Sequence, residues 1–205
     1  MSTDRSPMRY RSWLLVALLC CALSDARAGK QKEEALADAV RVALSRAITD
    51  PRPPQLTFAG DTDRDEWYRW SAAMSVRLQS RMPDAMVRGE FLQTVWYESR
   101  RAGLEPALVL GLIQVESGFR KYAISTVGAR GYMQVMPFWT RVIGDGQPAK
   151  LFQMQANLRY GCSILRMYID MEQGNLYLAL GRYNGSRGKP EYPNAVRAAW
   201  KRWQH

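Results

Sequence analysis

Residues 106–117 read PALVLGLIQVES, the most apolar helical candidate in the chain. Pro106 sits where a first-turn proline starts a helix, because its missing N–H would be unpaired there anyway. Val109, Leu112, Ile113 and Glu116 then fall at i, i+3, i+4 and i+7, so the carboxylate continues the apolar stripe toward the core. Glu116 also stands in the last turn, where the helix dipole disfavours negative charge. Both effects are expected to raise its pKa, as a general acid working near neutral pH requires. The stripe alone leaves open that the helix frays after Val115 and releases Glu116 to solvent.

The run that follows bears on that choice. From Ser117 to Gly144, SGFRKYAISTVGARGYMQVMPFWTRVIG, there is no carboxylate, and the charges are Arg120, Lys121, Arg130 and Arg141. Gly118, Gly128 and Gly131 let backbone approach a ligand closely. Met133, Gln134 and Met136 add apolar surface and an amide before Pro137 ends the segment. A close-approaching backbone wall, an amide and a protonatable Glu are parts from which a sugar cleft is built. The same parts would also serve a core loop.

Outward from this centre the pattern is helical throughout. Helices are expected over 31–49, 64–81, 85–102, 106–117, 155–173 and 175–183, with a last one starting at Pro193. Asp50-Pro51-Arg52-Pro53-Pro54 cannot continue a helix and reads as a linker. With no useful period-2 alternation and no internal repeat, the fold class is all-α.

Composition excludes several chemistries. The chain has 205 residues, and its only histidine is the last residue, His205. A Ser-His-Asp triad or a multi-histidine metal site is therefore not expected, and neither a metal nor an organic cofactor is assigned. Catalysis falls to carboxylates, hydroxyls and backbone groups. The net charge of +10 suggests an anionic partner: nucleic acid, membrane surface or cell-wall polymer.

Residues 1–28 have the form of an export signal. Arg5, Arg9 and Arg11 precede the apolar stretch Trp13 to Leu23, and Ala26-Arg27-Ala28 fits the small-x-small cleavage pattern. The stretch is too short for a spanning helix, which needs roughly 20 apolar residues. Lipidation at Cys20 or Cys21 is a weaker alternative, since the residues before them are not the small ones expected there. Cleavage after Ala28 leaves Cys162 as the lone cysteine, at helix-core spacing from Leu158 and Leu165, so it reads as a buried small hydrophobe. Residues 29–83 then form a helical N-terminal extension with its Pro-rich linker, and 84–205 the main domain.

Glu116-Ser117-Gly118-Phe119, Ala123-x-Ser125 and Val127-Gly128-Ala129-x-Gly131-x-Met133-Gln134-Val135-Met136-Pro137 resemble the catalytic segment of the soluble lytic transglycosylases, at that family's spacing. Asn157-Leu158-x-x-Gly161 resembles its next helix start, and Ala179-Leu180-Gly181-Arg182-Tyr183-Asn184-Gly185 its Ala-Tyr-Asn motif. The resemblance covers roughly residues 85–200. It implies a lysozyme-like helical fold and cleavage of the β-1,4 bond between N-acetylmuramic acid and N-acetylglucosamine in peptidoglycan. No water is added, and a 1,6-anhydro product forms.

By the same resemblance Glu116 is the catalytic residue, first acid and then base. Ser117 and Gln134 would hydrogen-bond the muramyl group or its peptide, Ser125 would face the cleft, and Met136 would lie beneath the sugars. Tyr183 would hold Glu116 by its hydroxyl, and Asn184 would shape the same corner. Met136 as core, Tyr183 as ordinary packing and Asn184-Gly185 as a helix-end turn are the plainer readings of those positions. The chain departs from the family at Tyr132, where Leu is usual, and at Arg182, where Ala is usual. Neither removes a chemical group.

Three other readings compete. A goose-type lysozyme shares the fold and the Glu-Ser pair but hydrolyses, which requires a second carboxylate across the sugar. Asp145 is the nearest in sequence. A non-catalytic wall-binding component of an envelope-spanning machine would leave Glu116 dispensable. Nucleic acid, suggested by Arg197, Lys201 and Arg202, is not the expected partner of an exported chain. The expected location is the periplasm, the expected partner is the glycan strand, and envelope or secretion-system proteins are further candidates.

Overall fold

The computed structural model describes residues 31–33, 35–49 and 55–205. The expected export signal and the whole Pro-rich linker at 50–54 lie outside the described residues. Eight α-helices follow in order: α1 (Asp38–Ile48), α2 (Asp61–Leu78), α3 (Ala85–Arg101), α4 (Pro106–Glu116), α5 (Phe138–Ile143), α6 (Met154–Met171), α7 (Leu176–Asn184) and α8 (Glu191–Trp203). A 3-10 turn at Pro148–Phe152 precedes α6. Among the described residues there is no strand, only isolated antiparallel bridges from Arg130 to Ile124 and to Val135. The all-α expectation is met.

Local chemistry sets the helix ends. Asp84 caps α3 by accepting from the backbone N–H of Met86 at 2.8 Å and of Val87 at 3.1 Å. Gly103, in the left-handed region, lets Leu104 N–H return to the Ser99 carbonyl at 2.8 Å and closes that helix. Asn175 caps α7 through Leu178 N–H at 3.1 Å. Three elements start elsewhere than the sequence suggests, one being α2, at Asp61 rather than 64. The first helix begins at Asp38 rather than near 31, because Gln31 is buried against the main domain. The last begins at Glu191, two residues before Pro193, since the first turn of a helix leaves its N–H groups unpaired and tolerates a proline.

The central element is α4. Val109, Leu110, Leu112 and Ile113 have no exposed surface, and each contributes about 2 kcal/mol by burial. A helix apolar on every side is buried on every side. Its most extensive partner is α8, and the two touch through backbone at Gly111. A Cβ there would stand 2.6 Å from Trp200 N, so only glycine permits the crossing. Gln114 Oε1 accepts from the Trp203 indole at 2.8 Å and pins the same pair.

Around this pair, α3 and α6 complete the core. Buried Glu98 of α3 accepts from Arg101 Nε at 2.6 Å and from Arg159 Nε of α6 at 2.8 Å. α2 joins through Trp67 and Trp70, whose rings lie 5.6 and 5.1 Å from that of Trp96. Cys162 is fully buried, and burial pushes its thiol well above the usual range.

Candidate active site

Helix α4 reaches Glu116, so the chain does not fray at Val115. Glu116 is 6% exposed, and its Oε1 accepts a hydrogen bond from the Tyr192 hydroxyl, on the first turn of α8. Gly118 and Phe119 then take positive φ and reverse the chain. Phe119 is held in that uncommon conformation by its ring, which packs edge-on against Trp203 at 5.3 Å and Phe91 at 6.1 Å. Arg120 Nε donates to the Ser117 carbonyl at 2.9 Å, placing a cation at the helix C-terminus, where the dipole favours one.

The segment after Phe119 is a wall folded on its own hydrogen bonds. Ser125 Oγ accepts from Ala129 N–H at 3.0 Å, and Arg130 and Val135 exchange both backbone bonds at 3.0 Å. Gln134, buried and at φ 48°, donates from Nε2 to the carbonyls of Ala123 at 3.1 Å and Gly131 at 2.9 Å. Both amide hydrogens are thereby used inside the wall, so a bond from Gln134 to a ligand would pass through its oxygen.

Helix α6 fixes the wall from beneath. Asn157, fully buried, accepts from Met133 N–H at 2.8 Å and donates to the carbonyls of Arg130 and Leu151, each at 2.8 Å. Gly131 lies so close that a Cβ would meet Asn157 Nδ2 at 2.3 Å, and its φ of 74° already favours glycine.

The other residues singled out in the sequence fall as follows. Ser117 is buried and returns its hydroxyl to the Ile113 carbonyl at 3.2 Å. Met136 is half-buried at the end of the wall. Tyr183 is fully buried, and its hydroxyl donates to the Met133 carbonyl at 2.8 Å. The hydroxyl found on Glu116 is that of Tyr192, which the sequence reading placed outside the last helix. Burial first, and then the charge of Glu116, push both tyrosines well above the usual phenol range, so both remain hydrogen-bond donors. Asn184 is buried and also ends α7 ahead of Gly185, whose φ of 77° makes the expected helix-end turn.

Three positions were underread. Tyr192 has a local signal only once Pro193 is recognised as a first-turn residue of its helix. Asn157 is visible as a polar residue on the buried face of α6. Gln31 has no local signal. Its Oε1 accepts from Met136 N–H at 3.2 Å and from the Trp139 indole at 2.9 Å, 105 and 108 positions along the chain.

The two departures from the family pattern also resolve. Tyr132 is core, with its ring 5.0 Å from Phe91 and its hydroxyl pushed up to about 12, chiefly by burial. Arg182 is ion-paired: Glu172 Oε1 accepts from Arg182 Nε and from Arg187 Nε, each at 2.6 Å.

Fold and site together define an all-helical domain whose central helix ends on a buried acid. The chain belongs to the transglycosylase SLT domain family, whose model matches residues 94–202. It is similar to the membrane-bound lytic murein transglycosylase C of Actinobacillus pleuropneumoniae, 36% identical over 99 residues, which are 45% of this chain and 24% of that protein. The protein of the same name from Actinobacillus succinogenes is 39% identical over 114 residues, 48% of this chain and 32% of the relative. The chain thus matches about a quarter to a third of the length of these curated relatives. Among solved structures, an inactive mutant of the lytic transglycosylase Slt from Pseudomonas aeruginosa aligns with TM-score 0.43 and 20% identity, over 84% of this chain and 34% of that one.

Proposed function

We propose that the chain is an exported peptidoglycan lytic transglycosylase that cleaves the MurNAc-β-1,4-GlcNAc bond without adding water. The observation that carries this reading is Glu116, buried at the end of α4 with the Tyr192 hydroxyl on its Oε1, inside a segment of the SLT family. Glu116 in its acid form gives its proton to the glycosidic oxygen as the bond to C1 breaks. The substrate's own acetamido oxygen stabilises C1. Glu116, now a carboxylate, takes the proton of the muramyl C6 hydroxyl as that oxygen bonds to C1 and the 1,6-anhydro ring closes. The acid is regenerated in one turnover.

Tyr192 orients the carboxylate through both steps, because its hydroxyl bonds the charged form and remains protonated. Residues 84–205 carry the reaction in this reading. Ahead of them, Trp70, Met74 and Leu78 of α2 share their core. The export signal at 1–28 would bring the chain to its periplasmic substrate.

The hydrolytic alternative needs a second carboxylate facing the sugar at roughly 6.5–9.5 Å from the acid. Asp145 does not suit that part. It pairs with Lys150, whose hydrogen bond holds its carboxyl below the usual range, and it lines a 330 Å³ cavity with Ser45, Thr49 and Tyr160.

The test is mass spectrometry of muropeptides released from purified peptidoglycan by the mature protein. Ends carrying anhydromuramic acid are expected. Reducing ends would replace this reading with a lysozyme. No products from folded protein, on substrate that a known enzyme digests, would leave a wall-binding role.

A further inference from the structure

Gln31 is the only buried position among the described residues of 31–37, at 5% exposure. The stretch has no helix or strand, and its nearest further tie is an exposed Glu33–Arg141 pair at 3.8 Å. Besides that pair and Leu36, which packs against the core, what holds it is one carboxamide oxygen between two donors, Met136 N–H at 3.2 Å and Trp139 Nε1–H at 2.9 Å. The same side chain faces the hydroxyl of Tyr183, whose own electrostatics register the charge of Glu116. The amide therefore sits in the corner where the wall, α5 and α7 meet.

A glutamine carboxamide and an N-acetyl group present the same planar acceptor. We propose that the Met136 N–H and Trp139 indole pair is a recognition site for an amide carbonyl of the substrate, and that Gln31 fills it as an internal competitor that substrate displaces. This rests on the proposed function. Cleavage after Ala28 would make Gln31 the third residue of the mature chain, so the segment can lift from the site without unwinding a helix. A tethered competitor of this kind lowers apparent affinity by the fraction of molecules in which the site is open.

The test compares three versions of the mature chain, each also carrying Glu116→Gln so that no turnover occurs. They keep Gln31, or carry Gln31→Ala or Gln31→Glu. Affinity for N-acetylchitotetraose is measured by calorimetry. Gln31→Ala removes the competitor and should tighten binding, roughly fivefold. Gln31→Glu offers the two donors a charged acceptor and should weaken binding by a similar factor. A merely structural Gln31 would weaken binding in both variants, and that result, or equal affinity in all three, overturns the proposal. De-N-acetylated chitosan oligomers should show no gain from Gln31→Ala. A gain seen with free stem peptide instead of the sugar would assign the carbonyl to the peptide and support the same site. If no version binds either probe, the recognition site fails. If peptidoglycan is still cleaved while the three affinities are equal, the competitor alone fails and the enzymatic reading stands.

Discussion

Tyr192, on the first turn of α8, donates a hydrogen bond from its hydroxyl to Oε1 of Glu116, on the last turn of α4. The bond spans the two helices that pair most extensively in the fold, so the packing of the core sets the position of the acid. Removing that hydroxyl should therefore act on the chemistry rather than on folding. A hydrogen bond to a charged group contributes about 1.5–3 kcal/mol. Tyr192→Phe should lower kcat by about tenfold or more, with KM for soluble glycan strands nearly unchanged. A fall in KM-dependent binding with kcat intact would contradict a positioning role.

Glu116→Gln keeps the shape of the side chain and the Tyr192 contact but has no proton to give and no carboxylate to take one. General acid–base catalysis typically contributes 10²–10⁴-fold. Anhydromuropeptide release should fall at least that far while the far-ultraviolet circular dichroism and the melting temperature stay near those of the parent. Unchanged turnover would remove Glu116 from the mechanism.

The wall should depend on α6 through one side chain. Asn157→Ala leaves Met133 N–H and the Leu151 carbonyl without their partner in a buried place, and strips the Arg130 carbonyl of one of its two donors. Each abandoned group costs about 1–3 kcal/mol, so a loss of about 3 kcal/mol or more is expected in chemical denaturation. Activity should drop with it, since the wall beside Glu116 loses its support. Stability within 1 kcal/mol of the parent, on that same scale, would show that water replaces the amide freely.

Acid stability should carry the signature of Glu172. The hydrogen bond from Arg187 and then that from Arg182 hold its carboxyl down to about 2. A carboxyl depressed in the folded state stabilises the fold above its ordinary value of 4.5, and that contribution is lost as pH falls toward about 2. Melting temperature measured across that window should decline less steeply in Glu172→Gln than in the parent. Parallel declines would mean that the pair of arginines contributes nothing to folding.

Much of this architecture was legible before any coordinates. The apolar period of 106–116 placed Glu116 on a buried face, because burial and helical spacing are both local properties. The 3-10 turn and α5 escaped, since five or six residues are too few to display a period. Tyr192 escaped through a proline read as a boundary when it sits inside the first turn. The family resemblance assigns the hydroxyl on Glu116 to Tyr183, whereas Tyr192 donates to Glu116 Oε1 and Tyr183 to the Met133 carbonyl. Contacts such as Gln31 to Trp139 join residues 108 positions apart, and only the packed chain reveals them.

The glycine at the crossing of α4 and α8 has a wider meaning. A methyl group at Gly111 would press on Trp200 N from 2.6 Å and act as a wedge between the rods that carry the acid and its phenol. The alignment of the reacting proton is thus gauged one and a half turns of helix away, at a residue with no functional group. A scan for lost activity should rank Gly111 beside the acid itself, and a designer transplanting this centre onto another scaffold would have to copy the clearance as faithfully as the chemistry.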